Sequence, residues 1–202
     1  MKNIIKKLII VLEVLIVITL MTSCQNMRIQ ELRKNGIEAL DNGNYEEAYE
    51  YLHEALIAGN GQVSKIQYDI LMYYAECCYR LKDYDKVDKI YESLYKIDKN
   101  NKTYQYLNNN IRTEIMKIKF KIALDKDEIE EATEIYNTLS SLGASYDKSV
   151  RYNHAVLYEK RGEWRDALNE FNMYLMQYPD DENALHEKEF IETILNTSKS
   201  GS

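Results

Sequence analysis

Beyond residue 28, apolar positions recur three and four apart with polar residues between them, the spacing of one buried helix face. A short phrase interrupts this pattern four times. Its copies are Gly43-Asn44-Tyr45-Glu46-Glu47-Ala48, Lys82-Asp83-Tyr84-Asp85-Lys86-Val87, Asp127-Glu128-Ile129-Glu130-Glu131-Ala132 and Gly162-Glu163-Trp164-Arg165-Asp166-Ala167. Each has a turn-type or polar residue, an aromatic or Ile two positions on, and a small apolar residue three after that. A large apolar residue follows four later (Leu52, Tyr91, Tyr136, Phe171), and Ala55, Leu94, Leu139 or Tyr174 three beyond it. Two helices need a small residue where they cross, and the large one a turn away fills the groove. Helix ends are predicted at Gly59-Asn60-Gly61, Asp98–Asn101 and Gly143. Residues 103–124 read as one long helix and Glu182–Asn196 as a final amphipathic one, followed by a polar tail over 197–202.

This phrase resembles the tetratricopeptide repeat, a helix–turn–helix unit. The copies fall near 29–62, 68–101, 113–146 and 148–181, with residues 182–196 as a cap. Gly36, Ala48, Leu52 and Ala55 stand at the family's packing positions in the first copy, and Ala75 and Tyr91 in the second. Ala155, Ala167 and Phe171 do so in the fourth, which ends on Tyr178-Pro179-Asp180-Asp181. The third copy departs from the pattern with Phe120 where a small residue is expected. The fold class expected is all-α, a right-handed superhelical stack of such pairs over 29–196 with a C-terminal capping helix. One repeat cannot bury its apolar face alone, so copies must stack.

Residues 1–23 differ from all that follows. Lys2, Lys6 and Lys7 precede an apolar run from Leu8 to Met21, and Thr22-Ser23 lead into Cys24. The run is shorter than the roughly 20 residues of a membrane span and matches a secretory signal. Leu20-Met21-Thr22-Ser23-Cys24 resembles the lipobox of bacterial lipoproteins, which implies cleavage, acylation (palmitate among the acyl groups) of Cys24 and a lipid-anchored linker over 24–28. An uncleaved membrane anchor is a second reading, and both place the rest of the chain outside the cytoplasm. A buried N-terminal helix of the domain is a third, disfavoured because the run has no amphipathic period.

Composition narrows the function classes. Seven glycines and one proline in 202 residues are too few for turn-rich β folds. No glycine-rich phosphate loop is present. The leader holds three lysines and one glutamate, so its removal takes the net charge from −7 to −9. That acidity disfavours nucleic acid as a partner.

Candidate chemistry is sparse. His53 falls on an outer helix face and reads as solvated, His154 as a packing residue, and no histidine pair has metal-ligand spacing. Cys77-Cys78 is a buried structural thiol or, on the sharper reading, a vicinal redox or soft-metal site. Acidic runs at 46–47, 127–131 and 180–182 open helices, where the helix dipole favours them. No cofactor, metal or catalytic residue is expected.

The 18 tyrosines either fill core positions (Tyr45, Tyr84, Tyr91, Tyr136, Tyr158, Tyr174) or furnish a binding surface (Tyr73, Tyr79, Tyr104, Tyr106, Tyr152). The resemblance implies a concave groove lined by the first helix of each pair. By register it holds Gln30, Arg33, Ile37, Asp69, Met72, Glu76, Tyr79, Tyr152, Val156 and Lys160. Ile37 and Tyr73 stand where members that clamp a terminal carboxylate carry Asn, so the groove is expected to take an extended or helical segment instead. The sequence thus reads as a non-enzymatic, lipid-anchored scaffold binding envelope or secreted proteins or peptides. The alternatives are a peptide- or solute-binding lipoprotein serving a transporter, and a cell-wall enzyme.

Overall fold

The computed structural model describes residues 24–61, 64–97 and 102–200, with side chains for 24–61, 64–94 and 109–197. The predicted signal segment 1–23, the helix end at Asp98–Asn101 and the side chains of Tyr104 and Tyr106 lie outside them. Helix α1 covers residues 24–41. It is followed by α2 (Tyr45–Ala58), α3 (Lys65–Arg80), α4 (Tyr84–Ile97), α5 (Lys102–Asp125), α6 (Ile129–Ser141), a 3₁₀ turn (Ala144–Tyr146), α7 (Lys148–Lys160), α8 (Trp164–Leu175) and α9 (Glu182–Ser200). The described residues form helices and turns without a strand. The fold is all-α, built of stacked helix–turn–helix pairs. No helix among them is long and apolar enough to cross a membrane. The chain divides into two compact units, one ending at Asp83 and the other beginning at Tyr84.

All four phrases build the same turn. Their first residues, Gly43, Lys82, Asp127 and Gly162, have φ of 76°, 59°, 57° and 72°. In each, that residue's N–H bonds a carbonyl three back, and the next N–H one five back. Asn44 N–H meets Ala39 O at 2.9 Å, Asp83 meets Cys78 at 2.8 Å, Glu128 meets Ala123 at 2.9 Å and Glu163 meets Tyr158 at 3.0 Å. This is the Schellman end, which satisfies the last carbonyls of the first helix before the chain reverses. The small residues Ala48, Ala132 and Ala167 are fully buried at the crossings, and Val87 at the same place of its phrase is fully buried too.

In the first unit, Gly36 of α1 lies close against α2. A Cβ there would lie 2.6 Å from Leu52 Cγ and 2.9 Å from Leu52 Cδ2. Leu52 is itself fully buried and has little room to yield. Helix propensity favours Gly36→Ala by about 1 kcal/mol, but overpacking costs about 1–3 kcal/mol. A net loss of roughly 1 kcal/mol is expected in urea unfolding; a gain in stability would show that the crossing is loose.

The second unit has two apolar clusters. Phe120, Ala123, Leu124, Ala132, Leu139, Val150 and Leu157 join α5, α6 and α7. Ala155, Ala167, Phe171, Tyr174, Ala184 and Ile191 join α7, α8 and α9. Asp147 caps α7, accepting from Ser149 N–H at 2.9 Å, and receives Lys117 Nζ of α5 at 2.8 Å. Burial pushes the Asp147 carboxyl up, but the bonds from Lys117 and Ser149 outweigh it and hold it below the usual carboxylate range. Asp181 opens α9 in a similar way: Tyr174 Oη donates to it at 2.7 Å and Ala184 N–H at 3.4 Å.

Several expectations change. Residues 24–28 are not a linker but the first turns of α1. The final helix passes Asn196 and runs to Ser200, so the tail is mostly helical. Its outer face is not wholly polar, since Phe190 is 51% exposed. The long helix expected over 103–124 is α5, 24 residues from Lys102 to Asp125, and Phe120 is fully buried in it.

Candidate functional site

Helix α3 carries Asp69, Tyr73, Glu76 and Arg80 at spacings of four, three and four, which puts them in one stripe. Arg33 of α1 reaches across to this stripe. Its guanidinium pairs with the Asp69 carboxylate and lies 5.8 Å from the centre of the Tyr73 ring. One turn further along, Arg80 Nε donates to Glu76 Oε1 at 2.8 Å, while its guanidinium sits 5.7 Å from the Tyr79 ring and 5.9 Å from that of Tyr45. Burial pushes the Arg80 guanidinium down, and Glu76 more than offsets this, so its charge is held. Ile37 and Met72 are half-buried, and Gln30 is exposed at the start of the face. The result is a partly exposed strip of rings and ion pairs whose orientations are fixed. It can offer stacking surface and hydrogen bonds, and it holds no nucleophile next to a base.

The predicted site residues of the second unit are placed differently. Tyr152 packs edge-on to Phe171 and Tyr174, at 5.5 Å and 5.6 Å. Burial and then the nearby Glu187 and Asp181 push its hydroxyl up to about 12. Lys160 pairs with Asp127, the left-handed residue of the third turn. Val156 touches both apolar clusters. These three tie helices together. The candidate site is therefore the α1–α3 face of the first unit. Arg80 and Tyr45 belong to it and were not foreseen. The Glu76–Arg80 spacing of four was the available signal for the arginine.

A family model described as tetratricopeptide repeat matches residues 39–111. Over those residues the chain is similar to tetratricopeptide repeats. The match takes in the first two phrases and stops before the last two, where the same turn and the same buried small residue recur. No curated protein and no solved structure matches the chain. Tetratricopeptide repeats in general mediate protein–protein interaction and are typically non-enzymatic, and the α1–α3 strip lies on the first helices of the first two repeats.

The remaining reactive groups are held as structure. Cys77 and Cys78 are fully buried beside each other on α3. Burial and then Glu76 push the Cys77 thiol up to about 12, so it is protonated and a poor nucleophile. Among the described residues no His, Cys, Asp and Glu group could hold a metal ion. His53 is not solvated as expected. It lies half-buried, stacked on Tyr49 and Tyr74 at ring distances of 5.8 Å and 5.9 Å. His154 is stacked at 3.8 Å on Tyr136, nearly parallel to it. Cys24 is exposed at the start of α1.

Proposed function

We propose that this chain is a non-enzymatic scaffold, tethered by acylated Cys24 to the outer face of a bacterial membrane, that holds envelope or secreted proteins against its repeats. The observation that carries the binding half is the α1–α3 strip. Arg33–Asp69 and Glu76–Arg80 fix the charged groups among Tyr73, Tyr79 and Tyr45, so a partner meets a largely preformed surface and little ordering is required. The anchoring half is supported by the basic and apolar leader ending in Leu20-Met21-Thr22-Ser23-Cys24, and by the exposure of Cys24. Two acyl chains hold a protein stably, whereas one does so marginally. Tethering would raise the effective concentration of the strip toward membrane-bound partners.

Two variants test the halves separately. Cys24→Ser is expected to abolish incorporation of labelled palmitate and to leave the precursor uncleaved or release the protein. Normal labelling of the variant would end the lipoprotein reading. Arg33→Ala with Tyr79→Ala is expected to lower in-cell cross-linking to envelope proteins about ten-fold, with helicity retained. Cross-linking at the wild-type level would place the partner on another face. Tyr152 is left intact in this test because its ring is packed.

A further inference from the structure

In the second unit a cleft of about 240 Å³ opens between α4, α5 and α6. That is below the roughly 300–1,000 Å³ of small-molecule and cofactor sites, and it suits a single side chain. Its apolar lining is Tyr91, Met116 and Ile135, of which Met116 and Ile135 rest on the core. One wall is cationic but neutralised: Lys119 Nζ meets Asp88 Oδ1 at 2.8 Å and lies 5.1 Å from the centre of the Tyr91 ring. The opposite wall is α6, with Glu131 and Glu134 one turn apart and the methyl-bearing Thr138 beyond. Neither glutamate forms an ion pair among the described residues, and both are exposed. Thus the cleft combines an apolar lining, an aromatic ring and two unneutralised carboxylates.

The geometry points to a docking site for the side chain of an arginine or lysine on a basic segment of another protein. The aliphatic stem lies along Met116, Ile135 and Tyr91, and the cationic head meets Glu131 and Glu134. Long basic side chains bury their stems while keeping the head polar, which matches this lining. The net charge of −9 beyond the leader steers such a segment toward the chain. The site is separate from the α1–α3 strip. It rests on the scaffold reading only in taking a protein as the source of the side chain.

The test uses the full chain in detergent and a dye-labelled, end-blocked hexa-arginine peptide, read by fluorescence anisotropy. Glu131→Gln with Glu134→Gln is expected to weaken binding about five-fold or more, and the hexa-citrulline counterpart, neutral and nearly isosteric, is expected not to bind. Glu46→Gln with Glu47→Gln makes the same charge change in the first turn of α2 and is expected to leave binding unchanged. Equal weakening by both double variants would overturn the site in favour of general acidity, and so would preference for a hexa-glutamate probe. Arg33→Ala with Tyr79→Ala is expected to retain hexa-arginine binding, so loss of cross-linking partners and loss of this site are read independently. If that variant loses the peptide while Glu131→Gln with Glu134→Gln keeps it, the cleft is not the docking point.

Discussion

Phe171→Ala is expected to destabilise the unit beginning at Tyr84 by about 3–5 kcal/mol, the range for removing a buried phenyl ring. Phe171 is fully buried. The loss has two parts, the transfer of the ring to water and the cavity left behind. How far the cavity closes decides where in the range the value falls. Three of the ring's cluster neighbours are Ala155, Ala167 and Ala184. Alanines have no side-chain torsions with which to fill a void, and their positions are set by the helix backbones. Tyr152 has torsions with which to turn, but its ring is edge-on to Tyr174 as well. The cavity should therefore stay open and the value should lie near the upper end. Met176→Ala, at a residue 85% exposed on the same chain segment, is expected to change stability by no more than about 0.5 kcal/mol. Urea unfolding of the two variants checks both numbers. A loss below 1 kcal/mol for Phe171→Ala would mean that α7, α8 and α9 collapse onto one another, and that the crossing is not held by ring packing.

The features legible in the sequence were those imposed by local spacing. A small residue at a helix crossing and a large one a turn later must recur whatever fills the rest, so Ala48, Ala132 and Ala167 fall into register from the sequence alone. Turn conformation was legible only where glycine marked it. Gly43 and Gly162 read as turns, whereas Lys82 and Asp127 adopt the same left-handed geometry without the residue type that advertises it. The recurrence of the whole phrase, and not the residue at its head, carried those two positions. Side-chain direction within a helix face was less legible. Tyr152 and Arg33 occupy the same position of their repeats, yet Arg33 spans to α3 while Tyr152 folds back onto Phe171 and Tyr174. A long charged side chain gains from reaching water at the rim, and an aromatic one gains from burial, so equivalent register led to different fates. The stacking of His53 on Tyr74 was illegible for the same reason, since it depends on a ring from another helix. Residues 24–28 lie in helix α1 although Cys24 and Met27 are their only apolar residues, because nothing there breaks a helix.

Acid should weaken the second unit well above the pH at which ordinary carboxylates protonate, and His154 is the expected cause. Its side chain is 13% exposed. It is stacked on Tyr136 at 3.8 Å, with Tyr158 at 4.7 Å. Burial, and then the charge of Arg161, push its imidazole down to about 4. In the unfolded chain it protonates near the ordinary value of about 6.5. Between these two values the unfolded state binds a proton that the folded state does not. Stability is thus fully present above about pH 6.5, falls as pH drops toward 4, and levels off below it. The span corresponds to at most about 3 kcal/mol. Glu170 also faces the ring, with Oε1 3.8 Å from Nδ1. Burial raises its carboxyl, so it takes up its proton earlier in the fold than out of it and offsets part of the loss at the acid end. Asp147 and Asp181 are both lowered, and their contributions are lost only as pH falls below the usual carboxylate range. Glu159, raised by burial and by Glu187, acts in the same sense as Glu170, so a fall in stability from pH 7 to 5 is the signature of His154. His154→Phe keeps the stack on Tyr136 and removes the titration. Urea midpoints measured from pH 7.5 to 4.5 are expected to fall steadily for the wild-type chain and to stay nearly flat down to pH 5 for the variant. Parallel curves would assign the acid sensitivity to carboxylates instead. A variant that is less stable at pH 7.5 but flat in pH would still carry the argument, because the slope and not the intercept reports the buried imidazole.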